Sequence, residues 1–180
     1  NGALAEVYIG IKNGFIEKIS KQKLTADKTI DCTGKTAFPG LIDSHVHFRT
    51  PGETEKEDWI HAGKSALAGG VTTALDMPNN NPPTTTVSAL IEKRKLVEKS
   101  SLIDYGFHFG AVHENNGELK QAVKIASIKM YTALSTGNLL LENKDKIEKV
   151  FRTGYERGLV VCVHAENNEI IEKNKKKFSK

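Results

Sequence analysis

The sequence predicts an α/β protein, a parallel sheet with crossover helices that follows a short all-β segment. Two observations carry this expectation. From Leu41 onward, β-rich runs alternate with helical spacing five times, and parallel neighbours need such crossovers. Before that point, residues 1–39 hold only short alternating runs around an Asn-Gly turn. The expected domains are therefore 1–39 and 40–180. An open doubly wound sheet and a (β/α)8 barrel both satisfy the alternation. No Gly-x-Gly-x-x-Gly follows the first strand, which argues against dinucleotide binding. A barrel takes about 250 residues, more than the 180 present, so a barrel would be cut short.

Each element has a local cause. Val7 to Ile11 and Phe15 to Ile19 flank Lys12-Asn13-Gly14, and Asn-Gly between apolar alternations is the strongest short hairpin cue. Thr29 to Cys32 and Thr36 to Phe38 continue the β pattern until Pro39-Gly40 breaks it. Leu41 to Phe48 is the first strand of the repeat. Thr54-Glu55-Lys56-Glu57 reads as a capping box opening a helix to about Leu67, stopped by Ala68-Gly69-Gly70. Val71 to Met77 is the second strand, Val87 to about Lys99 the second helix, and Ile103 to Val112 the third strand. A short helix from Glu118 to Ile125 precedes the fourth strand, Ser127 to Tyr131. Ile147, Val150, Phe151, Gly154 and Tyr155 keep i, i+3, i+4 spacing, and Gly158 closes that helix. Leu159 to Val163 is the fifth strand, with a Lys-rich helix after it.

Bulk properties exclude several classes. Hydrophobic residues make up 38% and charged residues 27%, ordinary for a globular domain. A net charge of +4 is too small to point to nucleic acid or a membrane surface, and the basic run from Asn174 to Lys180 reads as a solvated helix face. No stretch approaches the ~20 apolar residues of a membrane span. Cys32 and Cys162 form no framework, so a reducing cytoplasm is expected. The chain opens on Asn1-Gly2, without an initiator Met, and further sequence upstream is expected. Neither Gly-x-Ser-x-Gly nor a phosphate-cradling glycine loop occurs.

The chemistry concentrates at strand ends. Asp43, His45, His47 and Arg49 alternate along one strand, so period two points all four the same way. Two imidazoles at i and i+2 can share one metal ion, and His nitrogen suits zinc. Lys129 lies inside a β-rich run. A snorkelling surface lysine, a Schiff-base lysine and a carbamate-bearing lysine compete there, and from its position alone the snorkelling form leads. His164 closes the fifth strand, where a hydrogen-bonded core histidine and a residue at the catalytic rim of a barrel compete, with Glu166 as a candidate partner. Asn79-Asn80-Asn81-Pro82-Pro83 is first a turn, though an Asn there can offer its amide to a carboxylate. His61 and His113 read as structural or exposed, and His108 is ambiguous.

Several stretches then resemble dihydroorotases of the amidohydrolase superfamily, in the correct order. They are Phe38-Pro39-Gly40-Leu41-Ile42-Asp43-Ser44-His45-Val46-His47-Phe48-Arg49, Ala68-Gly69-Gly70-Val71-Thr72-Thr73, Asp76-Met77-Pro78-Asn79 and Pro82-Pro83-Thr84-Thr85. Ile128-Lys129-Met130-Tyr131, Ser135-Thr136-Gly137-Asn138 and Val163-His164-Ala165-Glu166 complete the match. The resemblance implies the N-terminal part of a (β/α)8 TIM barrel, about five units, preceded by part of a small β-sandwich. It implies reversible hydrolysis of L-dihydroorotate to N-carbamoyl-L-aspartate, in pyrimidine biosynthesis, by a hydroxide bridging two Zn2+ ions. His45 and His47 would bind the first ion, Lys129 as its carbamate would bridge, and His164 would bind the second. Arg49 and Asn79 would hold the substrate carboxylate. Hydantoinases and dihydropyrimidinases usually lack Arg at that position, and allantoinases typically carry Asn there. A further His ligand and the general acid/base Asp fall beyond Lys180 in the family pattern, so no catalytic acid/base is expected within these residues, which would be inactive alone. A homo-oligomer, and association with aspartate transcarbamoylase, are further expectations of the resemblance. The alternatives are another cyclic amidohydrolase, or a non-catalytic scaffold, which intact ligands argue against.

Overall fold

The computed structural model describes residues 4–133 and 139–178. The chain divides into two compact units, 1–38 and 39–180. In the first, strands β1 (Tyr8–Lys12) and β2 (Phe15–Ser20) pair antiparallel, with Lys12 opposite Phe15. Asn13 and Gly14 both take positive φ, 52° and 81°, as a two-residue hairpin turn of matching twist requires. Residues 29–32 and 36–38, expected as further β, form no strand. There the Asp31 carboxylate accepts from the Thr33 amide at 2.9 Å, and the Lys35 amide donates to the Cys32 carbonyl. That local turn takes up backbone groups a strand would offer to a neighbour.

The second unit is one five-stranded parallel sheet. Its strands are β3 (Leu41–Val46), β4 (Val71–Asp76), β5 (Asp104–Gly110), β6 (Ser127–Tyr131) and β7 (Val161–His164), in that spatial order. Each strand neighbours the next in sequence. A doubly wound sheet reverses its order at a switch point, and this one never does, so it is a segment of a (β/α)8 barrel. Helices α1 (Trp59–Ala68), α2 (Val87–Glu98), α3 (Asn116–Gln121) and α4 (Lys144–Glu156) make the crossovers, and α5 (Asn168–Phe178) follows β7. All five residues of β6 are buried. Trp59 anchors the core, its ring edge-on to Phe48 at 4.7 Å and to Phe107 at 6.1 Å. Among the described residues, no helix is long and apolar enough to cross a membrane.

Two helix boundaries differ from expectation. The supposed capping box at Thr54 to Glu57 is a turn, and α1 begins at Trp59. Asp58 is its N-cap, accepting from the amides of Ile60 and His61. The Glu53 amide donates to the Arg49 carbonyl and the Lys56 amide to the Glu53 carbonyl, which folds 49–56 into turns. Helix α3 ends at Gln121 rather than near Ile125, because Ala122 turns extended. Arginines take the released carbonyls: Arg157 donates to those of Leu119 and Ala122, and Arg94 to those of Val123 and Lys124. Helix α2 starts as the pattern requires, with Thr86 Oγ1 accepting from the Ala89 amide at 3.1 Å. Thr86→Ala is expected to lower unfolding stability by about 1 kcal/mol, measurable by urea denaturation.

Candidate active site

Strand β3 delivers His45 at its C-terminal end and stops at Val46, whose carbonyl accepts from the Met77 amide. His47 and Arg49 therefore lie beyond the strand rather than on it. Arg49 turns left-handed (φ 57°), which breaks the predicted alternation, and its guanidinium pairs with Glu53 at 3.1 Å. The two imidazoles still come together, with ring centroids 5.4 Å apart and planes at 56°. His47 Nδ1 lies 2.8 Å from Asn79 Oδ1. With Nδ1–H donating to that oxygen, a neutral ring keeps its lone pair on Nε2.

Partial loss of hydration favours the neutral, metal-ligating form of both rings, although His45 is exposed and His47 only half-buried. It lowers the pKa of His45, helped by the Lys129 ammonium and His164 and opposed by Asp43. It also lowers that of His47, helped by Arg49 and His45, against the hydrogen bond to Asn79 and the charge of Asp76.

Lys129 is only 4% exposed. The snorkelling reading is thereby overturned: β6 sits between β5 and β7, with Gly110 and Cys162 as its register partners, and the ammonium is not extended into water. Its Nζ lies 5.0 Å from the Tyr131 ring centroid, and that ring lies 5.9 Å from the His164 ring. Burial draws the Lys129 ammonium down from its ordinary pKa. His164 ends β7, and its Nε2 stands 2.5 Å from Glu166 Oε2. Asn79 is buried in the loop after β4. Ser135 to Asn138, part of the family-like pattern, lie outside the described residues.

His45, His47, Lys129 and His164 thus share one electrostatic neighbourhood. Among the described residues, no three His, Cys, Asp or Glu side chains cluster as a metal site. The donor set still suits zinc. Neutral imidazoles are its usual nitrogen ligands, and a buried lysine converted to a carbamate would add oxygens. The Tyr131 hydroxyl is buried without a hydrogen-bond partner among the described residues, and such a group calls for an acceptor. Burial and the nearby Asp76 push its pKa up to about 12, so it stays a donor. The other histidines play different parts. His108 Nε2 donates to the Ser44 carbonyl at 3.0 Å, so Nδ1 accepts from Ser127 Oγ at 2.6 Å, bracing β3, β5 and β6. His61 bonds Asp58 on the exposed face of α1.

The Amidohydrolase family model matches residues 36–180. This chain is a member of that family. A dihydroorotase from Methanosarcina acetivorans is 36% identical over 175 residues, covering 94% of this chain and 37% of the relative. An allantoinase from Deinococcus radiodurans is 34% identical over 170 residues, covering 92% and 38% respectively. The solved L-hydantoinase (dihydropyrimidinase) from Arthrobacter aurescens superposes with a TM-score of 0.90 at 30% identity, covering 98% of this chain and 40% of that one. The chain therefore spans about two fifths of the length of these relatives.

In this amidohydrolase, sequence reasoning assigned no role to a second set of residues at the same barrel end. Asp76 and Lys93 are fully buried and form an ion pair at 2.6 Å. Lys93 Nζ also donates to Asn80 Oδ1 at 2.7 Å and to the Met77 carbonyl at 3.1 Å, above the Phe107 ring. Burial lowers the Lys93 pKa while Asp76 opposes the shift. A signal existed. Leu90, Lys93 and Val97 share one helical stripe, and all three are buried, so a lysine occupies a core position of α2.

Proposed function

We propose that this amidohydrolase is a dihydroorotase, opening the cyclic amide of L-dihydroorotate to N-carbamoyl-L-aspartate and closing it in reverse. One observation carries the substrate choice. Arg49 and Asn79 both act on the His47 ring, Asn79 by a 2.8 Å hydrogen bond and Arg49 by its charge. A guanidinium and a buried amide that both influence His47 suit a substrate carboxylate next to the reacting centre, which Arg49 would take in exchange for its pairing with Glu53.

His45 and His47 would hold one divalent ion and His164 a second, with Lys129 between them as its carbamate. The neutral Lys129 amine adds to CO2 and loses one proton, which gives a carboxylate-like group in a buried place. So held, two zinc ions would supply a water-derived nucleophile at neutral pH and Lewis-acid polarisation of the ring carbonyl. Arg49 and Asn79 orient the ring through its carboxylate, which turns a bimolecular encounter into a positioned one. The Tyr131 hydroxyl remains protonated and offers its hydrogen bond to an oxygen in the site. In the balanced reaction, water adds to the carbonyl carbon, the ring C–N bond breaks, and nitrogen leaves with a proton.

Hydrolysis of an uncharged ring is the second reading, favoured by the hydantoinase superposition. A substrate panel on the protein carrying this sequence separates the two. Dihydroorotate is expected to be the preferred ring over dihydrouracil, hydantoin and allantoin. Arg49→Ala is expected to cut kcat/KM for it roughly 10- to 100-fold, the value of a charge-assisted hydrogen bond. Unchanged turnover in Arg49→Ala, or preference for an uncharged ring, would refute the carboxylate role.

A further inference from the structure

Arg49 and Asn79 sit on two separate loops, one after β3 and one after β4. The polar contacts around them form a pattern. Asp76 Oδ1 accepts from the Phe48 amide at 2.8 Å, and Asn80 Nδ2 donates to the Thr50 carbonyl at 3.2 Å. The residues immediately before and after Arg49 are thus both tied down. On the other loop, Lys93 Nζ holds the Met77 carbonyl and Asn80 Oδ1, so Asn79 is fixed from both sides as well. The Asp76–Lys93 pair joins the two halves.

We infer that Asp76, Lys93 and Asn80 are positioning residues, which set the spacing between Arg49 and Asn79 and so fix where a substrate carboxylate is received. This rests on the dihydroorotase reading of those two residues. Three physical points support it. A buried ion pair gives up hydration that its own attraction barely returns, so stability alone is a poor reason for having one, and fixing register is its best-attested use. Arg49 holds a left-handed backbone, which a non-glycine residue keeps only where its surroundings enforce it. And a carboxylate is gripped well only when two donors stand at a fixed separation, because a small misplacement forfeits much of the benefit. The residues touch no substrate in this scheme. They act through the backbone on either side of the residues that do.

The test uses Asn80→Ala and the paired replacement Asp76→Leu/Lys93→Met in the protein carrying this chain. Melting temperature and zinc content are read beside steady-state kinetics on dihydroorotate. Asn80→Ala is expected to raise KM about 10-fold or more, with zinc content close to wild type and a moderate fall in melting temperature from the partner lost by buried Lys93. The paired variant is expected to do the same or worse while remaining folded. If the paired variant does not fold, Asn80→Ala decides alone. A KM within twofold of wild type in a folded variant would overturn the inference, since a merely structural contact would lower the melting temperature and leave KM unmoved. If the wild type prefers an uncharged ring, the dihydroorotase reading fails separately. Crystal structures of wild type and Asn80→Ala then decide the positioning claim. Loss of the His47–Asn79 contact or of the left-handed Arg49 would support it, and both unchanged would overturn it.

Discussion

Replacing Lys129 by Met in the protein that carries this chain is expected to lower kcat/KM for dihydroorotate by about a thousandfold or more, with the fold retained. Met is unbranched and apolar and fills much of the same space, so the all-buried strand β6 should keep its packing. What disappears is the amine that could become a carbamate. A bridging ligand contributes several kcal/mol to stabilising the reaction's transition state, and each 1.36 kcal/mol is tenfold in rate. Steady-state kinetics, zinc content and a melting curve on one preparation check the outcome. A variant that keeps both its zinc and its turnover within tenfold of wild type would show that Lys129 is no ligand. His45→Ala provides the independent comparison, because it removes a nitrogen donor from a different strand.

Breaking the Asp76–Lys93 pair from one side is expected to have the largest effect on stability. Lys93→Met leaves the Asp76 carboxylate buried without its cation, and such a change costs about 3–5 kcal/mol. The paired replacement Asp76→Leu/Lys93→Met removes both charges and should recover most of that loss, with a residue of about 1–3 kcal/mol from the Phe48 amide left without an acceptor. Urea denaturation of the two variants against wild type gives these differences directly. If the single change costs as little as the paired one, the two groups are not coupled in the folded state. The order matters for function too. A pair that can be replaced with little loss of stability yet is costly to activity belongs to positioning rather than to the core.

Much of the fold was legible because the signals are local. Asn13-Gly14 specifies a hairpin turn through its own backbone preferences, and strand β6 was read to the residue because its short run is bounded on both sides by breaks in the pattern. One failure was local in cause and the other was not. Thr54 and Glu57 carry the right residue types for a capping box, but Asp58, one position later, captures both free amides, and a sequence cannot rank two competing caps. Arg49 was placed on the strand face by alternation, whereas Asp76 takes the Phe48 amide and draws the chain out of the ladder. That carboxylate comes from a different strand, so no pattern within residues 41–49 could reveal it.

The sequence by itself determined the β/α alternation, the order of the elements, and which residue types stand at the strand ends: two imidazoles, a lysine, a third imidazole and an arginine. These follow from side-chain period, turn chemistry and capping, all of which act over a few residues. Only the tertiary structure decided that the sheet runs in strict sequential order, that Lys129 is enclosed rather than solvated, and that Lys93 from a helix pairs with Asp76 and Asn80, which in turn hold the loop after β3. Burial and ion pairing arise between residues distant along the chain. Their energies depend on which surfaces lose water together, and the packed fold alone decides that.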